Sequence, residues 1–346
     1  MHFNHPVKLM QGDYCDRILG DAGGFVSTTM ETWRPVAGKP AVLVRWMMTE
    51  WCNYSCPYCP QTHGRWAEKG NGLTAHAFDN FPLAQWLEAF ERHFASYRLS
   101  LVITGGEPMV DRKNTIAFLK HMSAQSFVEC IRIDTNLWWD PELLAGWDSS
   151  KIILMCTFHP TQVDEEKFIQ RITKLIDMGV SIGMVNYVMD DASPQKFKER
   201  SMRFAELGVI LHPNPLWGKS GSYTESDLNL MRMALPDRDF KLRSSSEITK
   251  GKSCHFPIVG YEMNYKGIVA VGCYGKCDGG FFEEKLPKLP VPDRTSAVPC
   301  PFNYCSCLDK YSFLVGFERN LSTNPLKEYS KALWERSKVT AEVESG

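Results

Sequence analysis

Cys52, Cys56 and Cys59 fall within eight residues, in the stretch WCNYSCPYCP. Three thiolates at this spacing can hold three corners of a cubane [4Fe–4S] cluster and leave its fourth iron without a protein ligand. A ferredoxin built only for electron transfer would normally supply a fourth cysteine nearby, and none follows before Cys130. An open iron is a coordination site for a substrate or cosubstrate. The alternative is a zinc knot of the three cysteines and His63, although zinc ligands usually come as two close pairs.

The chain holds 12 cysteines in all. A second, looser group comprises Cys254, Cys273, Cys277, Cys300, Cys305 and Cys307, while Cys15, Cys130 and Cys156 stand apart. The N-terminus, MHFNHPVKLMQGDY, lacks the basic-then-apolar layout of an export signal. Metal or redox chemistry is therefore favoured over a disulfide framework. With 39 Lys+Arg against 40 Asp+Glu the net charge is −1, which argues against a charge-driven nucleic-acid binder. No apolar run reaches the roughly 18 residues of a membrane span. The expectation is a soluble, cytoplasmic protein with neither nucleic-acid nor membrane partners.

The elements that must position these residues alternate. Apolar, β-branched runs begin with AVLVRW at Ala41, then recur as LSLVIT (99–104), CIRIDT (130–135), KIILMCTF (151–158), VSIGMVNYVM (180–189) and VILHPNPL (209–216). Helical spacing fills the gaps, over Thr74–His93, about 114–125, 141–147, DEEKFIQRITKLIDMG and 193–207. Six strand–helix units imply parallel strands with crossover helices. The expected fold is α/β, a partial (β/α)6 TIM-like barrel, open on one side and carrying a C-terminal cysteine-rich domain. Its boundaries read as an N-terminal extension (1–40), the barrel (41–217), a connection (218–252), the cysteine-rich domain (253–310) and a C-terminal helix and tail (311–346). Pocket candidates come from the C-terminal ends of barrel strands: Cys156, His159, Asn186, Tyr187, His212, Asn214 and Trp217. His159 and His212 each precede a proline and are equally candidates for structural fixtures. A cysteine within an apolar strand, as at Cys156, usually packs.

CNYSCPYC resembles the signature of the radical S-adenosylmethionine (SAM) enzymes, whose CxxxCxxC motif follows the first strand of a partial (β/α)6 barrel. ITGGEP (103–108) follows the second strand, where that family carries its GGEP motif. The resemblance implies that Gly105 and Gly106, lacking Cβ, let a backbone edge approach the methionyl amino group, with the Glu107 carboxylate near that ammonium. Tyr58 fills the aromatic slot that in the family lies near the adenine. Asp134, Thr135 and Asn136 end the third strand, where related enzymes place polar contacts to SAM, or else they cap the strand. SAM would chelate the open iron. One electron would cleave its sulfonium C–S bond, and the resulting 5′-deoxyadenosyl radical would remove a substrate hydrogen atom.

The second cysteine group resembles the auxiliary-cluster domains of the SPASM/twitch branch, with Cys254 before a hairpin turning at Asn264–Gly267, Cys273 after it, and Cys300, Cys305 and Cys307 in PCPFNYCSC. The full two-cluster spacing is absent and the CxxxxCxC ending differs from the usual CxxC. One auxiliary [4Fe–4S] cluster on Cys254, Cys273, Cys305 and Cys307 fits best, with Cys300 or Cys277 as replacements. A zinc ribbon or two incompletely ligated clusters are the other readings.

The resemblance implies oxidation or epimerisation of a small substrate, such as a sugar or aminocyclitol in natural-product biosynthesis. An epimerase needs a thiol to return a hydrogen atom, which makes Cys156 a candidate. An external one-electron reductant such as flavodoxin or ferredoxin is implied as a partner. Peptide-modifying relatives often carry a leader-binding winged-helix domain, and the 51 residues before Cys52 do not suggest one. A peptide maturase performing epimerisation or crosslinking is the alternative. From another class, a non-catalytic iron–sulfur electron-transfer protein is opposed by the complete GGEP element.

Overall fold

In the computed structural model the residues described are 41–59, 76–189, 193–209, 211–215, 223–234, 248–254, 256–272, 279–286 and 298–303. The expected N-terminal extension and C-terminal helix lie outside them, as do His63, Trp217, Cys273, Cys277, Cys305 and Cys307.

The six apolar runs form β1 (Ala41–Thr49), β2 (Arg98–Gly105), β3 (Val128–Thr135), β4 (Ile152–Phe158), β5 (Ser181–Met189) and β6 (Leu211–Pro215). Each pairs in parallel with the next in chain order. The crossovers carry α1 (Ala77–Asn80), α2 (Leu83–Phe94), α3 (Arg112–Ala124), α4 (Glu165–Asp177) and α5 (Ser193–Glu206), and α6 (Glu225–Ala234) follows β6. The helix expected over Thr74–His93 is two helices, because Pro82 lacks the N–H that a continuous helix needs and instead stands at the N-cap of α2. The short helix expected at 141–147 is a single 3-10 turn, Pro141–Leu144, started by the Asp140 carboxylate, which accepts from the Glu142 N–H. Asp111 and Asp164 cap α3 and α4 in the same way, accepting from Asn114 and Lys167. Gly179, at φ 72°, takes the left-handed turn that stops α4. Among the described residues no helix is long and apolar enough to cross a membrane.

The expected hairpin is present as β8 (Gly260–Asn264) and β9 (Ile268–Val271), after the two-residue β7 (Ser253–Cys254) and the short α7 (Phe256–Val259). The Asn264 side chain accepts from the N–H groups of Lys266 and Ile268, and so builds the turn. Rather than standing apart, β8 pairs in parallel with β1 on the edge opposite β2. With β10 (Gly279–Gly280), the described strands form one nine-stranded sheet in the order β10-β9-β8-β1-β2-β3-β4-β5-β6. A separate ladder joins β7 to β11 (Val298–Pro299).

Alternation divides the sheet into two faces. Val42, Val44, Trp46 and Met48 of β1 enter the core shared with the helices. The Trp46 ring lies 4.6 Å from Trp86, 5.5 Å from Phe90 and 5.2 Å from Phe118. Phe281 and Phe282, just after β10, close this cluster: Phe281 is 4.7 Å from Phe90, and Phe282 is 4.8 Å from Trp86. The opposite face is more polar. There Arg45 pairs with Glu262 at 3.5 Å, and Arg132 grips Asp134 with two bonds of 2.7 and 3.0 Å.

Candidate functional site

The end of β1 runs straight into the cysteine loop, and the turn after β2 is fastened to that junction. Gly106 donates its N–H to the Thr49 carbonyl and Glu107 donates its own to the Trp51 carbonyl, both at 2.8 Å. Gly105 has φ 131°, a conformation that side chains disfavour. A Cβ on Gly105 would overlap the Thr49 carbonyl oxygen, and one on Gly106 would overlap the Trp51 carbonyl oxygen. Both glycines therefore serve the close approach of the chain to itself, independently of any bound molecule.

Glu107 is fully buried. Its carboxylate accepts from the Met109 N–H at 3.0 Å, the Asn136 N–H at 2.6 Å and the Thr135 hydroxyl at 2.9 and 3.0 Å. Burial pushes the carboxyl up to about 7, against the pull of these donors. Its side chain thus locks the β2 turn to the end of β3. Thr135 is used up likewise, since its hydroxyl oxygen also accepts from the Leu137 N–H and the Trp139 indole, each at 3.0 Å.

The end of β3 then bends sharply. Leu137 adopts a left-handed φ of 54°, rare for a branched residue. Arg171 of α4 holds the Leu137 carbonyl at 3.0 Å, and the Asn136 side chain accepts from the Trp138 N–H at 3.1 Å. This bend aims the Asn136 amide at the cysteine loop, where it donates to Asn53 at 3.0 Å and to Cys52 Sγ at 3.6 Å. Asp134, in contrast, is committed to Arg132 on the other face of β3.

The end of β4 supplies a third contact. His159 Nδ1 lies 2.8 Å from the Tyr58 hydroxyl and 3.5 Å from Cys56 Sγ. Its ring is near-parallel to Tyr58, at 6.1 Å and 15°, and edge-on to Tyr54, at 5.8 Å and 82°. Burial pulls His159 down to about 4, so the ring is neutral near pH 7. Gln162 accepts from the Ser55 N–H at 3.2 Å. Three strand ends converge on Cys52–Cys59, as expected where a parallel sheet builds its sites.

The loop suits a sulfur-ligated cluster. Cys52, Cys56 and Cys59 are free thiols, with Cys56 buried and the other two half-buried. Cys52 Sγ accepts from the Tyr54 N–H at 3.4 Å as well as from Asn136. Such donors serve a thiolate, yet burial pushes the Cys52 thiol up to about 11, with Glu107 adding to the rise. A bound cation would reverse that balance, because coordination deprotonates a thiol outright. Among the described residues no three His, Cys, Asp or Glu side chains converge to hold a single metal ion.

The other candidates fall elsewhere. Cys156 shares a face of β4 with Ile152, Leu154 and Phe158, and Phe158 packs 5.0 Å from Phe168 of α4. Cys156 is therefore core between sheet and helices, and burial raises its thiol far above the ordinary value. This placement favours packing over a thiol that meets substrate. His212 is buried on the opposite face of β6, in register with Asn186. Tyr187 lies in the helix-facing core. Cys254 and Cys300 are buried and close together in sequence register, since Cys254 opposes Val298 and the Cys300 N–H donates to the Lys252 carbonyl at 2.8 Å. Sequence reasoning overlooked Asn53, Tyr54, Gln162, Arg171 and the bend at Leu137. The placement of Asn53 and Tyr54 between Cys52 and Cys56 was the available signal.

Among solved structures the chain is similar to SuiB of Streptococcus suis, with 14% identity and a TM-score of 0.46 over 66% of this chain and 59% of that one. It is similar to polyhistidine-tagged anSMEcpe with bound AdoMet, with 14% identity and a TM-score of 0.46 over 67% and 74%. BtrN in complex with AdoMet and 2-DOIA gives 14% identity and a TM-score of 0.35 over 70% and 79%. The chain therefore spans less than two thirds of the length of SuiB. No protein-family model matches the chain, and no curated protein does.

Proposed function

We propose that the chain is a radical SAM enzyme acting in a reducing compartment. The observation that carries this reading is the fastening of the GGEP turn to Thr49 and Trp51, where β1 enters the cysteine loop, with Asn136 and His159 against the sulfurs of that loop. Electron transfer alone needs no such turn beside the cluster loop.

Cys52, Cys56 and Cys59 would hold a [4Fe–4S] cluster. The chemistry supplied there, once the cluster is bound, would be one-electron reductive cleavage of the C–S bond of SAM for hydrogen abstraction from substrate. The chain's own residues do the positioning. Glu107 and Thr135 hold the GGEP turn and the end of β3 in fixed relation, and the Asn136 amide supports Cys52. Asp134 and Arg132 offer polar groups on the face away from the helices. Cys254, Cys273, Cys305 and Cys307 would hold an auxiliary [4Fe–4S] cluster, with Cys300 or Cys277 in place of one of them.

Oxidation or epimerisation of a small polar substrate suits the second cluster and the polar face bearing Arg45, Glu262, Arg132, Asp134 and Asn186. The electron would come from a small reductant of the flavodoxin or ferredoxin type. The test is anaerobic reconstitution with iron and sulfide, followed by dithionite and SAM. About eight irons per chain and release of 5′-deoxyadenosine are expected, falling to about four irons and no release in a Cys52/Cys56/Cys59→Ala variant. A reduced, iron-loaded chain that never cleaves SAM would sink the reading.

A further inference from the structure

The His159 ring and its backbone are held on several sides. Pro160 restricts the backbone of His159 to extended conformations, and the His159 carbonyl accepts from the N–H groups of Gln162 and Val163 at 2.9 and 3.1 Å. Tyr54 and Tyr58 confine the ring on two sides. One nitrogen, Nδ1, faces both the Tyr58 hydroxyl at 2.8 Å and Cys56 Sγ at 3.5 Å.

A single ring nitrogen cannot accept from Tyr58 and donate to Cys56 together. Towards a thiol the choice is open. Towards a thiolate it is not, because a ligating sulfur only accepts. We infer that His159 is a positioning residue for the cluster loop, donating its Nδ1–H to Cys56 Sγ when that sulfur ligates iron, with the Tyr58 hydroxyl proton turned away from Nδ1. This rests on the reading of Cys52–Cys59 as a cluster loop. A donor at a cluster sulfur stabilises the reduced, more negative state and so raises the reduction potential. Cys56 is only 4% exposed, which keeps its sulfur from bulk solvent.

The test is an EPR-monitored redox titration of the reconstituted chain without SAM, read together with iron content. His159→Leu keeps the bulk and removes the donor. His159→Asn places an amide N–H where Nδ1 stood. Tyr58→Phe removes the competing hydroxyl. The expected result is a tenfold shift toward the oxidised form in His159→Leu at a fixed potential, about 59 mV for one electron. His159→Asn should return to the wild-type potential, and Tyr58→Phe should not fall below it. Should His159→Leu lose its iron, His159→Gln takes its place, since its amide lies one bond beyond Nδ1 and should also fall. An unchanged potential in a fully loaded His159→Leu overturns the inference, as does an equal drop in His159→Leu and His159→Asn. A wild-type chain that binds no iron overturns the cluster reading itself, and the inference with it.

Discussion

The Asn136 N–H donates to Glu107 Oε2 at 2.6 Å, while the Asn136 side-chain amide reaches Cys52 Sγ at 3.6 Å. One residue thus couples the buried carboxylate behind the GGEP turn to the first cysteine of the loop. Displacing either end of this line moves a sulfur.

The Glu107 carboxyl makes fold stability depend on pH. Burial raises it from 4.5 to about 7 in the folded chain. A carboxyl raised on folding contributes stability that is fully present below the unfolded value and lost as pH rises through the folded one. The metal-free wild type should therefore lose up to about 3 kcal/mol from this group as pH climbs from below about 4.5 to above about 7. Glu107→Gln cannot ionise, so its urea midpoint should vary less over that range. Parallel pH profiles would contradict the assignment.

Gly105 and Gly106 should tolerate no side chain even without SAM. A Cβ at either would overlap a backbone carbonyl oxygen, that of Thr49 at the end of β1 or that of Trp51 just before Cys52. Gly106→Ala should destabilise the metal-free chain by about 1–3 kcal/mol, and Gly105→Ala by at least as much because its φ is also strained. Gly179→Ala is the control. Its φ is positive but nothing lies within 4 Å of the added carbon, so about 1–2 kcal/mol is expected without any change in thiol reactivity at Cys52.

Thiol labelling should separate the two kinds of cysteine. Cys52 and Cys59 are half-buried, whereas Cys130 and Cys156 are fully buried. In the folded metal-free chain a maleimide should modify Cys59 directly and Cys52 more slowly, since burial pushes the Cys52 thiol up to about 11. The second pair should react only as fast as the surrounding structure opens. Iron loading should protect Cys52, Cys56 and Cys59, as mass spectrometry of labelled peptides would record. Rapid labelling of Cys156 would reopen its candidacy as a substrate-facing thiol.

Phe281 ties the segment after β10 to the barrel. It is fully buried among Trp86, Phe90 and Phe94, and its carbonyl lies 2.9 Å from His93 Nε2. Phe281→Ala should cost about 3–5 kcal/mol and expose residues 279–286 to protease before the rest of the chain unfolds. A loss below about 1 kcal/mol would mean that the hairpin region docks by other contacts.

Local pattern explains which elements were legible. The six strands were readable because each is a short apolar run bounded by polar residues or glycine, as in Ser100–Thr104 or Ile152–Phe158. The break at Pro82 follows from its missing N–H, which outweighs the apolar spacing that reads as one helix. The pairing of β8 with β1 was not legible, since strand partners more than 200 residues apart are chosen by edge availability and packing rather than by local preference. Here the Phe281–Trp86 contacts supply that packing.

The sequence by itself determined the alternation of strands and helices, the thiol triplet after the first strand and the glycine turn after the second, because these are set by local periodicity and spacing. Only the tertiary structure decided how those parts are used. It made the two glycines a backbone seam with Thr49 and Trp51, committed Glu107 to Thr135 and Asn136, withdrew Cys156 into the helix-facing core, and set His159 beside Cys56 across 103 residues of chain. Such contacts are formed by which strand ends meet in space, and side-chain type carries no record of that before the sheet assembles.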